Sequence, residues 1–265
     1  MTATTAVTAT TAYRVTTRRV LRSEWSKLWS VRSTGIALGA TAALIIALGA
    51  VVAANYTSGD GDGTTGPAQL ALLGTQFGQV IVAVLGVMVT AGEYSTGTIR
   101  ATLTAVPRRL PVLWAKAAVF GAAAFATLLA TAFVTFPVSQ GFLSGTDQEA
   151  ALTDPGVARA LTGAAAGIAL IGVISLALGA ALRGVPAGIG GYIGGVLILP
   201  EVVGALPFGA ARDAVAYFPS RTVEALMATG PKAGLLSPGT AFVALCAWVA
   251  VALGAAGLLL RRRDV

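Results

Sequence analysis

Residues 34–54 read TGIALGATAALIIALGAVVAA, a run without a single charged side chain. A helix rises about 1.5 Å per residue and the hydrocarbon core of a bilayer is about 30 Å thick, so about 20 apolar residues cross it. This run is long enough. It is too long for the apolar core of a signal peptide, and no small-residue cleavage site closes it. Five further runs of the same kind follow, at about 70–91, 117–137, 160–182, 187–206 and 240–260. Composition agrees, with 55% of the 265 residues hydrophobic and 11% charged, against about 25% charged in a soluble domain. The pattern predicts an all-α integral membrane protein with six transmembrane helices.

Three divisions follow. Residues 1–33 hold a Thr-rich tail, read as disordered, and an amphipathic helix; residues 34–260 form the six-helix domain; residues 261–265 are a basic tail. In the first division Leu21, Trp25 and Leu28 share one helical face at i, i+4, i+7 spacing, while Arg18, Arg22 and Ser26 share another. Such a helix suits the headgroup layer, with Trp25 and Trp29 as interfacial anchors.

Charge placement sets the expected orientation. With both ends and the second-to-third and fourth-to-fifth connections on one side, 14 of the 18 basic residues lie there and four lie opposite. Acidic residues divide the other way, three against eight. The positive-inside rule makes the basic side cytoplasmic, with both termini inside and the chain in the cytoplasmic (inner) membrane. The net charge of +7 is thus a topology signal and not a nucleic-acid footprint.

Several chemistries are excluded. There is no histidine and one cysteine, Cys246, so Ser-His-Asp triads, common zinc sites and disulfides within the chain have no residues to build them. A phosphate-binding loop needs a lysine after glycine, whereas Lys27, Lys116 and Lys232 follow Ser26, Ala115 and Pro231. The chain carries no ATP site of that kind, no metal site and no catalytic constellation.

The most informative polar stretch is Gly92-Glu-Tyr-Ser-Thr-Gly-Thr-Ile-Arg-Ala-Thr-Leu103. Ser95 or Thr96 can cap a new helix there. Ile99, Leu103 and Val106 give it one apolar face, Pro107 closes it, and Arg108 and Arg109 anchor it to anionic headgroups. The residues alone fit either a stop that holds topology or a stiff element between spans two and three.

Glu93-Tyr94-x-x-Gly97-Thr98-Ile99-Arg100, followed by Leu103 and Val106-Pro-Arg-Arg109, resembles the segment after the second span of ABC-2 type transporter permeases, actinobacterial members above all. The basic, Trp-bearing segment Arg22-Ser-Glu-Trp-Ser-Lys-Leu28, the six-span layout and Tyr217-Phe-Pro-Ser220 are similar to that family as well. The resemblance implies that Glu93, Tyr94, Gly97, Thr98, Ile99, Arg100 and Leu103 belong to a cytoplasmic coupling helix that docks on a separate ATP-binding subunit. ATP and Mg would be bound by that partner, and a second permease chain would complete the pathway. Gly97 would admit a close backbone, and Glu93 and Arg100 would supply charge at the rim. The implied function is export of an amphiphile such as a drug, lipid or peptide. A non-transporting membrane scaffold is the alternative. A secondary transporter is a third option, disfavoured because the spans carry almost no acids or bases to bind a coupling ion and no inverted repeat is evident.

Within the spans, Gln76 and Gln79 can contact a substrate or bridge helices. Glu201 is the one acid inside a predicted span, a candidate for substrate contact or gating. The glycine pairs 35/39, 74/78, 163/167, 190/194 and 191/195 are read as packing positions.

Overall fold

The computed structural model describes residues 16–58, 66–105, 109–207 and 209–262, and of Arg100, Leu103, Ala105, Ala210, Ala211 and Arg212 the backbone alone. The expected tail at 1–12, Val106, Pro107, Arg108 and Arg263 lie outside the described residues. Helix α1 spans Thr17–Ser30 and α2 Arg32–Ala54; α3, Pro67–Ala71, precedes α4, Thr75–Ser95. A short α5, Thr98–Ala105, leads to α6, Arg109–Leu143, and then to α7, Val157–Leu182. The fifth span is composite: α8, Val185–Tyr192, a π-helical segment, Ile193–Ile198, and α9, Leu199–Gly204. Two short helices, α10 at Gly209–Val215 and α11 at Pro219–Met227, precede α12, Pro238–Arg262. Among the described residues, six helices are long and apolar enough to cross a membrane: α2, α4, α6, α7, the composite span 185–204 and α12. The described fold is all-helical and that of a multi-pass membrane protein.

Helix α7 is the axis of the bundle, the most buried of the six spans, and it packs against α4, α6, α11 and α12. Its crossing with α4 depends on glycine. A Cβ on Gly86 would lie 2.2 Å from the Gly172 carbonyl oxygen, and one on Gly179 would lie 2.7 Å from the Val87 oxygen. With no hydrophobic drive between helices in lipid, close backbone approach of this kind supplies the packing energy. Of the glycine pairs expected to pack, Gly74 and Gly78 meet Ile45 of α2, and Gly163 and Gly167 meet Leu226 and Val223 of α11. Gly39, Gly190, Gly194 and Gly195 have no atom near their Cβ positions; they face outward from the chain.

The boundaries move in two places. The second span was expected from Leu70. Instead α3 sits as a separate buried turn, with a Cβ on Gly49 of α2 placed 2.5 Å from the Ala71 oxygen and 2.6 Å from Thr135 of α6. The chain then turns at Leu72–Gly74, where the Thr75 hydroxyl donates to the Leu72 carbonyl at 2.5 Å. The third span was expected from residue 117. It begins at Arg109, because Val112 and Ala115 pack on Val20 of α1 and make a helical foot of what reads as a polar linker. It also runs on through Pro137, which transmembrane helices tolerate when neighbours satisfy the freed backbone.

Helix α1 is rotated from its expected setting. Val20, Glu24 and Leu28 are its buried residues, and Trp25 and Trp29 are about half exposed. The stripe from 20 to 28 wins because Glu24 has a buried partner, described below. The two indoles, 5.8 Å apart, are left on the outer face, where a headgroup layer would receive them. Beyond the fifth span, α11 packs against α7 and α12, so the connection to the last span carries short helices, one of which is seated on the bundle. Arg159 of α7 donates to the Ala228 and Thr229 carbonyls at 3.0 and 3.1 Å, and the Trp248 indole donates to the Tyr217 carbonyl at 2.8 Å.

The glycine argument gives a direct test. Gly86→Ala forces a methyl onto a backbone oxygen and should cost about 1–3 kcal/mol, the range for overpacking. Gly39→Ala meets nothing within the chain and should be neutral. Thermal unfolding of the purified protein in detergent separates them; equal melting temperatures would refute the α4–α7 crossing as described.

Candidate functional site

Both ends of the described chain meet at one end of the bundle, here the basic end. Arg109 donates to the Leu260 carbonyl at 3.0 Å, so the first turn of α6 caps the last turn of α12. At this end lies an ionic quartet, buried at Glu24 and Lys116 and partly open at Lys27. Lys116 of α6 is 5% exposed and donates to Glu24 of α1 at 2.7 Å and to Glu93 of α4 at 2.6 Å. Lys27 of α1 donates to Glu24 at 2.8 Å, to Glu93 at 3.4 Å and to the Thr102 hydroxyl of α5 at 3.1 Å. Two carboxylates and two ammonium groups cancel in charge, the condition under which ions survive burial. Burial works against the Lys27 ammonium, but the hydrogen bond and charge of Glu24, joined by Glu93, outweigh it and raise the pKa above the ordinary lysine value. The group therefore stays charged through the neutral range.

One acceptor in the quartet is unused. Glu93 Oε2 is buried and has no hydrogen-bond partner among the described residues. A cavity of about 20 Å³ lies among Glu93, Tyr94, Ile99, Lys116 and Leu260, room for one water by volume.

The predicted coupling residues divide into two sets here. Glu93 points inward, to Lys116 and Lys27, and is not a free charge at a rim. Tyr94 carries the Arg183 guanidinium over its ring, 5.5 Å from the centroid; Arg183 is the left-handed residue (φ 56°) that turns α7 into α8. Ile99 is buried. Thr98, Ala101 and Thr104 are exposed, at i, i+3, i+6 spacing on one side of α5. Gly97 has φ +73° with open space around its Cβ position, so within the chain it serves the left-handed turn between α4 and α5. The expected cap at Ser95 or Thr96 is not formed: both hydroxyls donate back to the Gly92 carbonyl at 2.9 Å and close α4 instead.

The opposite, distal end holds a cavity of about 620 Å³, and Gln76, Gln79 and Glu201 all line it. The Gln79 amide donates to the Tyr192 hydroxyl at 3.1 Å, bridging α4 to α8. Gln76 is exposed into the cavity. Glu201 pairs with Arg221 of α11 at 3.0 Å, and Arg221 also pairs with Glu224 at 3.1 Å. Lys232 donates to the Gln69 amide oxygen at 2.5 Å. Sequence reading missed Glu24, Lys27 and Lys116 at the basic end, and Arg221 and Lys232 at the distal one. A signal for the first group was available: the chain has three lysines among 18 basic residues, and two of them sit in the quartet.

No family model matches the chain, and no curated protein matches it.

The quartet predicts a specific pattern of stability. Lys116→Met leaves an uncompensated charge in the buried site and should cost about 3–5 kcal/mol, the range for breaking a buried pair. Adding Glu24→Gln and Glu93→Gln to it should restore most of that loss. Additive losses across the three changes, read by thermal unfolding, would show that these groups do not interact.

Proposed function

We propose that this chain is the membrane-spanning subunit of an ABC exporter of the ABC-2 permease type, driven by a separate ATP-binding subunit that holds ATP and Mg. The observation that carries this reading is the setting of α5. One side of it is tied through Thr102, Lys27 and Glu93 to α1, α4 and α6, and its other side presents Thr98, Ala101 and Thr104. A push on the exposed side would be felt at once by three helices of the bundle, which is what transmission of a nucleotide-driven movement requires. The open faces of α2 and of the composite fifth span suit a second permease chain. The distal cavity, lined by apolar side chains such as Leu72, Phe77 and Val80 and by a set of polar and charged ones, suits an amphiphile. Orientation follows the charge argument: the basic end is cytoplasmic, α1 is interfacial, and the pathway leads from there to the distal end.

Two tests bear on this reading. In a Cys246→Ser background, Ser58→Cys should react with an impermeant maleimide in intact cells, and Ser26→Cys only after permeabilisation; the reverse pattern would invert the topology. For the partner, mild-detergent purification from native membranes should bring down a P-loop ATPase. Ala101→Arg, on the exposed side of α5 and away from the quartet, should abolish that co-purification without lowering the melting temperature. Absence of any ATPase from the wild type would leave a membrane scaffold as the better reading, and an ATPase retained by the variant would remove α5 as the docking element.

A further inference from the structure

The distal cavity is lined by a negative and a positive pole. Arg221 is shared between Glu201 Oε1 and Glu224 Oε2 at 3.0 and 3.1 Å. One cation against two carboxylates leaves a net charge of about −1, and Glu201 Oε2 and Glu224 Oε1 have no hydrogen bond among the described residues. Lys232 donates to the neutral Gln69 amide and has no carboxylate partner among the described residues, so its charge is unmatched. Gln76 of α4, which also lines the cavity, makes no hydrogen bond among the described residues and offers both a donor and an acceptor.

Beside Thr75, Gln79 and Ser220, the rest of the lining is apolar. Leu72, Phe77, Val80 and Leu197 line the cavity, and Phe77 is among the most exposed large hydrophobic side chains of the chain. Arg221, Glu224 and Lys232 also line a second cavity of about 400 Å³ together with Gly204 and Ala216. The charged groups therefore form a band where the two spaces meet, with the apolar wall of the larger one on one side of it.

We propose that this cavity binds a zwitterionic amphiphile: a polar head with one anionic and one cationic group, on an aliphatic tail. The anion would pair with Lys232, the cation with Glu201 and Glu224, and the tail would lie along Leu72, Phe77, Val80 and Leu197. A singly charged amphiphile would leave one pole unmatched, and a neutral one would leave both. The volume lies within the range for small-molecule sites, about 300–1,000 Å³. As a statement about the transported substrate this rests on the exporter reading above; as a statement about binding it does not.

The test uses the purified full chain in maltoside micelles, without any ATPase. Radiolabelled dodecylphosphocholine is the probe, displaced by unlabelled dodecylphosphocholine, dodecyltrimethylammonium or dodecyl sulfate, all below their own micellar concentrations and all with the same tail. The zwitterion should displace at least about tenfold better than either charged analogue, the effect of one charge-assisted contact. Lys232→Gln should erase its advantage over dodecyltrimethylammonium, and Lys232→Arg should restore it. Glu201→Gln with Glu224→Gln should erase its advantage over dodecyl sulfate. Equal displacement by all three heads means partition into micelles only and overturns the proposal, as does selectivity that survives the charge changes. Head selectivity without ATPase co-purification would keep the site and sink the exporter reading; the reverse would keep the exporter and sink the site.

Discussion

Four charges at the basic end, with Glu24 and Lys116 buried and Lys27 at the edge of the cluster, hold the helices of this chain in register. Lys116 contributes one ammonium to two carboxylates that come from different helices, Glu24 on α1 and Glu93 on α4. Neither carboxylate can move away without leaving a buried ion unmatched, and that penalty is several kcal/mol. So α1, whose remaining contacts are a modest apolar stripe, is locked to the bundle. The foot of α6 is drawn into helix eight residues earlier than its hydropathy suggests, and α5 is fastened through Lys27 to the same cluster. A hydrophobic cluster of equal volume could hold these helices as firmly. It would not make their positions conditional on one another in the same way, because apolar contacts slide where ion pairs break.

The spans were legible because the bilayer imposes a simple rule: about 20 apolar residues and no unpaired charge. What the rule cannot register is a polar residue used inside the fold. Arg109, Val112 and Lys116 read as linker because charge interrupts the hydropathy. In the structure, Arg109 caps α12 and Lys116 is neutralised by Glu24 and Glu93, so the helix continues through both. The face of α1 was misjudged for a related reason. Leu21, Trp25 and Leu28 read as one face, whereas the stripe that packs inward is Val20, Glu24 and Leu28, because a carboxylate with a buried partner outranks an indole that a headgroup layer can accommodate. At the distal end the situation is reversed. Gln76, Gln79 and Glu201 stood out as polar residues in spans, and the fold gathers all three on one cavity. Arg221 and Lys232 were hidden because they lie in a connection that reads as a loop and folds back as α11 and its exit.

The glycines show where composition alone misleads. Thirty-three of them make small-residue pairs common by chance, and only the neighbouring backbone decides which are used. Gly86 and Gly179 matter because Gly172 and Val87 stand opposite them on the partner helix. Those positions form no short-range pair in the sequence, being apart in the chain and joined only by the α4–α7 crossing. Gly39 and Gly194 match the pattern and touch nothing in this chain.

That crossing also relates the two ends of the molecule. Helix α4 carries Gln76 and Gln79 at the distal cavity and Glu93 and Tyr94 at the quartet, about 25 Å apart at 1.5 Å per residue. Between them it contains no proline, and its middle is pressed against α7 at a point with no room for a methyl group. A helix pinned at its centre and tethered at both ends cannot slide freely along its axis. Tyr94 is linked through Arg183 to the start of the composite fifth span, whose π-helical segment and Pro200 break the regular ladder just before Glu201. Segments of π-helix of this kind are concentrated at functional sites. Contacts therefore join the quartet to residues of the distal cavity along two elements, α4 with Gln76 and Gln79 and the fifth span with Glu201. On the exporter reading, a movement of α5 would shift these two elements relative to each other, which is the coordinate that binding and release of an amphiphile would need.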